Sequence, residues 1–310
     1  MTTIPEISQS SIDRAAQKQR LFAYLDDVVN APAEWAEVGI HEQLPELYSI
    51  KPVRIPPNIF LYWHDGWDKA PELAKLCLKS WQLSNPTYNV YALDYTSLGT
   101  ALREPPSHKA NSKLAGFSDR VRVKILQETG GVWADATLFC SKPLDSWLHL
   151  MVPVSQFFAL ASPAPDRIIS SWFLASTTSS PIVDMWERIV SRYFLKLEEE
   201  KRWVHSYFFL HYILEYLCQR HPYSKELWDA MPKVPVQAAA TRRLSSLARL
   251  TKMDDASKQL PMTANELDAA RSALKTIVMH KLTWKAAMRE KSAASEQLLG
   301  ILHEFLQDIG

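Results

Sequence analysis

The stretch DRVRVKILQETGGVWAD, residues 119–135, sets carboxylates, guanidiniums and a glycine pair close together. Asp119 and Arg122 are three residues apart, which on a helix places them on one face. A carboxylate beside a guanidinium there can hydrogen-bond hydroxyl groups. Asp135 stands alone at the end of the apolar run VWA. If that run is a strand of an open parallel sheet, its carboxyl end faces a ligand crevice, and Asp135 is a carboxylate at the mouth of a pocket.

Between the two sits Gly130-Gly131, in a chain with only 8 Gly among 310 residues. Gly130 suits the left-handed position that ends a helix. Gly131 has no side chain, so a neighbouring element or a ligand can approach the backbone closely. The plainer alternative, a helix stop followed by an ordinary turn aspartate, stays open on these residues alone.

The elements that must position these residues read as an alternation. An amphipathic helix is expected over 9–30. The run NIFLYW at 58–63, after Pro56-Pro57, reads as a buried strand. A helix follows over 71–84, with Pro71 in its first turn and Leu73, Leu76, Cys77 and Trp81 on one face. YNVYAL at 88–93 is a second strand and 99–116 a loop. Ser118 is placed to cap a helix over 119–128. VWA begins a third strand, which LFC at 138–140 resumes. Strand, helix, strand, helix, strand implies a parallel, doubly wound α/β sheet with helices on both faces. Strands at 154–160 and 171–175 are expected to extend it. Helices are expected over 181–197, 204–220, 264–276 and 285–308, with Thr263 and Glu266 forming a capping box. The expected division is a helical lead-in at 1–50, a core at 51–180 and a mostly helical part at 181–310, packed as one unit.

Composition narrows the function. With 35 basic and 34 acidic residues the formal net charge is +1, which argues against a protein that tracks nucleic-acid phosphates. Three widely spaced cysteines, Cys77, Cys140 and Cys218, form neither a zinc pattern nor a disulfide framework. No run reaches about 18 apolar residues, so no membrane span is expected. The N-terminal residues carry no apolar signal core. The expected setting is the cytoplasm, with the inner face of the membrane as the alternative place of work. Eleven Trp suit core packing and also the binding of flat rings such as bases or sugars.

SDRVRVKILQETGGVWADAT at 118–137 resembles the signature of the capsular polysaccharide synthesis proteins. These are grouped with sugar transferases carrying an Asp-x-Asp (DxD) motif, such as the yeast-type α-mannosyltransferases and the large clostridial glucosylating toxins. Weaker likenesses lie at IPPNIFLYWHDGW (55–67), SWQLSNPTYNVYALD (80–94), SWFLASTTSSPIVDMW (171–186), YFFLHYIL (207–214) and VMHKLTWK (278–285), so that most of 52–290 is covered. The resemblance implies a GT-A fold and a nucleotide-sugar donor. It implies that Trp63 stacks on the base and that Asp119 and Arg122 hold donor-sugar hydroxyls. Asp135 would be the first carboxylate of the motif, and His280, Thr283 and Trp284 would reach the diphosphate from a C-terminal loop. It also implies Mn²⁺ or Mg²⁺, with Asp135 and Thr137 as metal ligands; replacement of the metal by Lys281, Lys285 or Arg122 is the alternative. Thr137 departs from the pattern, since it stands where a second carboxylate is expected, and a hydroxyl is a weaker ligand for a hard cation. Ser206 stands where an Asp before Tyr-Phe is expected.

The expected activity is hexose transfer from a nucleotide-diphosphate sugar to a polysaccharide or lipid-linked glycan, with retention of configuration, alongside membrane-bound assembly machinery. Two rivals stay open: a GT-A-fold protein that binds nucleotide sugar without catalysis, and a phosphate-ester hydrolase using the same crevice. Among the remaining polar residues, Lys281 and Lys285 add positive charge near the diphosphate, His64 and Asp65 lie after the first strand, and His211 reads as a core histidine. The segment 241–252, TRRLSSLARLTK, reads as a solvated helix or as a basic face toward an anionic lipid or polymer.

Overall fold

The computed structural model describes residues 9–29, 54–107, 113–152, 155–250, 260–283 and 292–310. Helix α1 (Gln9–Val28) buries Leu21, Leu25 and Val28 at helical spacing. Strand β1 (Asn58–Tyr62) follows, with four of its five residues buried. Helix α2 (Glu72–Ser84) starts behind Pro71 and buries Leu73, Leu76, Cys77 and Trp81. Strand β2 (Asn89–Leu93), the single turn α3 (Leu98–Ala101), helix α4 (Leu114–Thr129) and strand β3 (Gly131–Ala134) complete the alternation read from sequence. β1 pairs in parallel with β2 and with β3, which fulfils the α/β expectation.

Two further strands extend the sheet as an antiparallel hairpin. β5 (Phe157–Ala164) pairs with β6 (Arg167–Ser176), and β6 runs antiparallel to β3. The order across the sheet is β2-β1-β3-β6-β5. Between β3 and this hairpin lies β4 (Leu138–Cys140). It does not resume β3, as the sequence suggested. It belongs to a second sheet, β4-β8-β7, in which β8 (Met279–Lys281) runs antiparallel to β4 and parallel to β7 (Ala240–Thr241).

Helices α5 (Pro181–Glu199), α6 (Phe209–Arg220) and α7 (Pro222–Ala230), the short α8 (Val236–Ala239) and α9 (Arg243–Leu247), and α10 (Ala264–Thr276) and α11 (Ala293–Ile309) follow among the described residues. The capping box at the start of α10 forms: Thr263 Oγ1 accepts the Glu266 N–H at 3.3 Å, and Glu266 Oε2 accepts the Thr263 N–H at 2.8 Å.

Two boundaries move for physical reasons. α4 begins at Leu114, so Ser118 lies inside it. Its apolar stripe starts a turn earlier than read, with Phe117, Val121 and Ile125 all buried. α6 begins at Phe209 because the Ser206 hydroxyl accepts the Phe208 N–H at 3.1 Å, a local bond that competes with a helical turn.

Side chains of the five-stranded sheet, α4, α5 and α6 form the main core. A smaller apolar cluster joins α2, α9, α10 and α11 around Phe139 of β4. The leucines of 241–252 enter this cluster, with Leu244 and Leu250 buried, so this segment is anchored on its apolar side. Cys77, Cys140 and Cys218 are free thiols and buried. Among the described residues no helix is long and apolar enough to cross a membrane.

Candidate functional site

The glycine pair does what the sequence suggested. Gly130 ends α4 at φ +63°, and a Cβ there would lie 2.7 Å from the Thr178 backbone nitrogen. Gly131 opens β3 at φ +97°, and a Cβ would lie 2.7 Å from the Asn58 carbonyl oxygen of β1. Only glycine lets the chain leave α4 and enter the sheet this close to β1.

At the far end of β3 the chain turns from one sheet to the other. The Asp135 N–H donates to the Trp172 carbonyl of β6 at 2.9 Å, and the Asp135 carbonyl accepts the Leu138 N–H at 2.8 Å. Leu138 pairs with Lys281 across β4 and β8. The Leu282 N–H then donates to the Thr137 carbonyl at 2.8 Å. Thus residues 135–137 and the end of β8, distant in sequence, are held side by side.

The side chains converge there. Arg122 projects from α4 to Asp119 Oδ1 at 3.0 Å and Asp135 Oδ1 at 3.3 Å. It also donates to the Ser171 carbonyl at 2.6 Å and to Ser171 Oγ at 2.8 Å. Trp133 Nε1 donates to Asp135 Oδ1 at 3.1 Å. Lys281 Nζ donates to Asp135 Oδ2 at 2.7 Å and to Thr137 Oγ1 at 2.9 Å. Burial alone would raise the Asp135 carboxyl, but Lys281 and then Arg122 overcome it and hold it at about 2. Asp119 behaves oppositely: burial outweighs Arg122 and pushes its carboxyl up to about 6. The two carboxylates share one guanidinium and differ because only Asp135 has a second cation.

This cluster lies in a cleft of about 840 Å³, within the usual range for small-molecule sites. Trp63, His64 and Asp65, just past β1, are among its lining residues. Trp63 is half-buried and packs beside Ala136 in the turn after Asp135. Arg167, Trp172, Tyr207 and Arg242 line it as well. The cleft therefore brings Trp63, Asp119, Arg122, Asp135 and Thr137 together.

Other expected residues lie elsewhere. His280 is fully buried in β8 and does not line the cleft; burial pushes its pKa down to about 4. Neighbours on a strand face opposite ways, and Lys281 is the one that enters. Thr283 is half-buried and outside the cleft lining. Trp284 and Lys285 lie outside the described residues. Ser206 is buried, with its hydroxyl on Gln17 Oε1 at 2.9 Å.

Sequence reading missed Ser171, Arg167 and Arg242. It also took His211 for core. His211 is 8% exposed but lines the cleft, and its Nδ1 has no hydrogen-bond partner among the described residues. Burial and the nearby Arg167 and Arg122 push its pKa to about 3. The apolar helix around His211 masked it; the basic dipeptide Arg242-Arg243 was the available signal for Arg242.

The side chains present do not fit a protein-held divalent ion. A hard cation needs several free oxygen ligands. Asp135 Oδ1 faces Arg122 and Trp133, while Oδ2 and the Thr137 hydroxyl both face the Lys281 ammonium. Among the described residues no group of three His, Cys, Asp or Glu converges to add ligands.

Comparison with known proteins gives three findings. The sequence model described as capsular polysaccharide synthesis protein matches residues 40–299. The O-glycosyltransferase braB of Annulohypoxylon truncatum is 22% identical over 167 residues, which take in 47% of this chain and 39% of that relative. The chain thus spans well under half the length of that curated relative. A solved structure, the PaToxG glycosyltransferase, aligns over 94% of this chain and 98% of its own, at 16% identity and a TM-score of 0.41.

Proposed function

The chain belongs to the capsular polysaccharide synthesis protein family, and we propose that it is a GT-A-type glycosyltransferase. The donor is a nucleotide-diphosphate sugar and the acceptor a polysaccharide or lipid-linked glycan. The carrying observation is the Arg122–Asp135–Lys281 cluster at the carboxyl end of β3, inside a cleft large enough for such a donor.

In this reading the base lies against Trp63 and the sugar lies over Asp119 and Arg122. The C1–O bond to the diphosphate breaks, and its electron pair leaves on the phosphate oxygen. The acceptor hydroxyl oxygen bonds to C1, and its proton passes to the released diphosphate. Negative charge grows on the leaving group, and preorganised cations stabilise it without reorganisation cost. Asp135 holds those cations in place, and the Ser171 carbonyl and hydroxyl fix the Arg122 fork. Retention of configuration, and a role in surface polysaccharide synthesis at the inner face of the membrane, belong to the same proposal.

The test is a panel of nucleotide sugars incubated with glycan and lipid-phosphate acceptors, with product anomers read by NMR. Acceptor-dependent product supports transfer. Donor binding without turnover would support the binding-protein rival. Sugar release that no acceptor redirects would support a hydrolase.

A further inference from the structure

We propose that the Lys281 ammonium is the built-in cation of this site and replaces the divalent metal that a DxD-type transferase would use. The inference rests on the transferase reading above. Three observations carry it. Lys281 Nζ lies between the two residues from which a metal would be expected to take its protein oxygens, 2.7 Å from Asp135 Oδ2 and 2.9 Å from Thr137 Oγ1. Thr137 supplies a hydroxyl where a metal site would have its second carboxylate, and a neutral acceptor suits an ammonium that already has one carboxylate partner. The placement is also built rather than incidental. The β4–β8 pairing sets Leu138 opposite Lys281, and the Leu282 N–H to Thr137 carbonyl bond fixes the strand end beside the turn.

An ammonium has three donor directions. Asp135 and Thr137 take two, and the third is left for a diphosphate oxygen in the cleft. As the C1–O bond breaks and its electron pair moves onto the diphosphate, Lys281 stays protonated and meets the new charge. The acceptor proton goes to the released diphosphate, so no proton is drawn from Lys281. Arg122, spread over Asp119, Asp135 and Ser171, assists from the other side of Asp135.

The experiment titrates UDP and GDP into the protein by calorimetry, once in EDTA and once in Mn²⁺. It then repeats the titration with Lys281→Gln and Lys281→Arg. Glutamine keeps a hydrogen-bond donor and removes the charge; arginine keeps the charge. In EDTA the wild-type protein should bind one of the two with a Kd within about threefold of its Mn²⁺ value. Lys281→Gln should weaken that binding by at least about tenfold, which Mn²⁺ does not restore, and Lys281→Arg should recover most of it. In turnover assays with the matching donor, Lys281→Gln should lower kcat more than it raises KM, which a merely structural lysine would not do. Wild-type binding that requires Mn²⁺ overturns the proposal and leaves the transferase reading standing. Unchanged binding in a folded Lys281→Gln also overturns it. Binding of neither nucleotide under either condition overturns both readings together.

Discussion

Asp119 and Asp135 sit on either side of one guanidinium, yet they couple to pH with opposite sign. The Asp119 carboxyl is raised from 3.8 to about 6, so the folded state holds its proton more tightly than the unfolded chain. Its ionisation costs nothing below pH 3.8, and the cost grows as pH rises and is complete above about 6. The Asp135 carboxyl is lowered from 3.8 to about 2, so its stabilisation is full above pH 3.8 and is lost as pH falls toward 2. Asp119→Asn mimics the neutral acid. It should therefore be more stable than wild type above pH 6, by at most on the order of 2–3 kcal/mol. The gap should close below pH 3.8, and transfer should fall at least about tenfold because the charge is lost and one of the two acceptor oxygens becomes an amide donor. Urea midpoints from pH 3 to 8 check this; an Asn variant less stable than wild type at pH 7 would show that Arg122 outweighs burial. Asp135→Asn should act the other way. It leaves Arg122 and Lys281 facing a neutral amide, and it should cost at least about 100-fold in kcat/KM with the fold kept. Near wild-type turnover in the purified variant would remove Asp135 from the site.

At the level of elements, the join between α4 and β3 is the most constrained turn in the site. Gly131→Ala would combine φ +97° with a Cβ 2.7 Å from the Asn58 carbonyl oxygen, so β3 must move away from β1. A strained residue alone costs about 1–3 kcal/mol, and the clash with backbone adds to it; at least about 2 kcal/mol of destabilisation should appear in urea denaturation. Gly300→Ala is the control. Gly300 lies inside α11 with nothing near its missing Cβ, and alanine there should stabilise by about 0.4–1 kcal/mol. A Gly131→Ala protein as stable as wild type would leave the glycine pair without a structural reason. This turn was legible because glycine is rare in the chain and its two jobs, a positive φ and a close approach, need no partner identified in advance. The same holds for the capping box at Thr263, a local pattern with a local cause. The second sheet was not legible. Its strands have two or three residues, too few to show alternation, and β4 and β8 are brought together only by the fold. That is why His280 and Lys281 were both expected near the diphosphate although only Lys281 lines the cleft: neighbours on a strand take opposite faces. The antiparallel hairpin of β5 and β6 was read as two strands, but nothing local gave their direction.

On the scale of the whole molecule, the charge cluster is assembled from two packed bodies of side chains. Arg122 and Asp135 are supported by the main core through α4 and β3, whereas Lys281 rides on β8, backed by the cluster of α2, α9, α10 and α11. Stability and activity should therefore respond differently to damage in each. Leu302 in α11 and Leu197 in α5 are both fully buried, one in each cluster. Either Leu→Ala change should cost about 2–5 kcal/mol by leaving a cavity. Leu197 does not line the cleft, and Leu197→Ala should leave kcat of the folded fraction within about twofold. Leu302→Ala lets α11 relax against α2, which carries Trp81, and Trp81 Nε1 holds the Leu138 carbonyl at 2.7 Å beside the β4–β8 pairing. A small shift there moves Lys281 relative to Asp135, and a misplacement of about 1 Å can cost on the order of 100-fold in rate. The comparison is made well below both melting transitions, so that each protein is folded and only geometry differs. Equal kcat losses in the two variants would mean that the smaller cluster supports stability alone and has no particular hold on the position of Lys281.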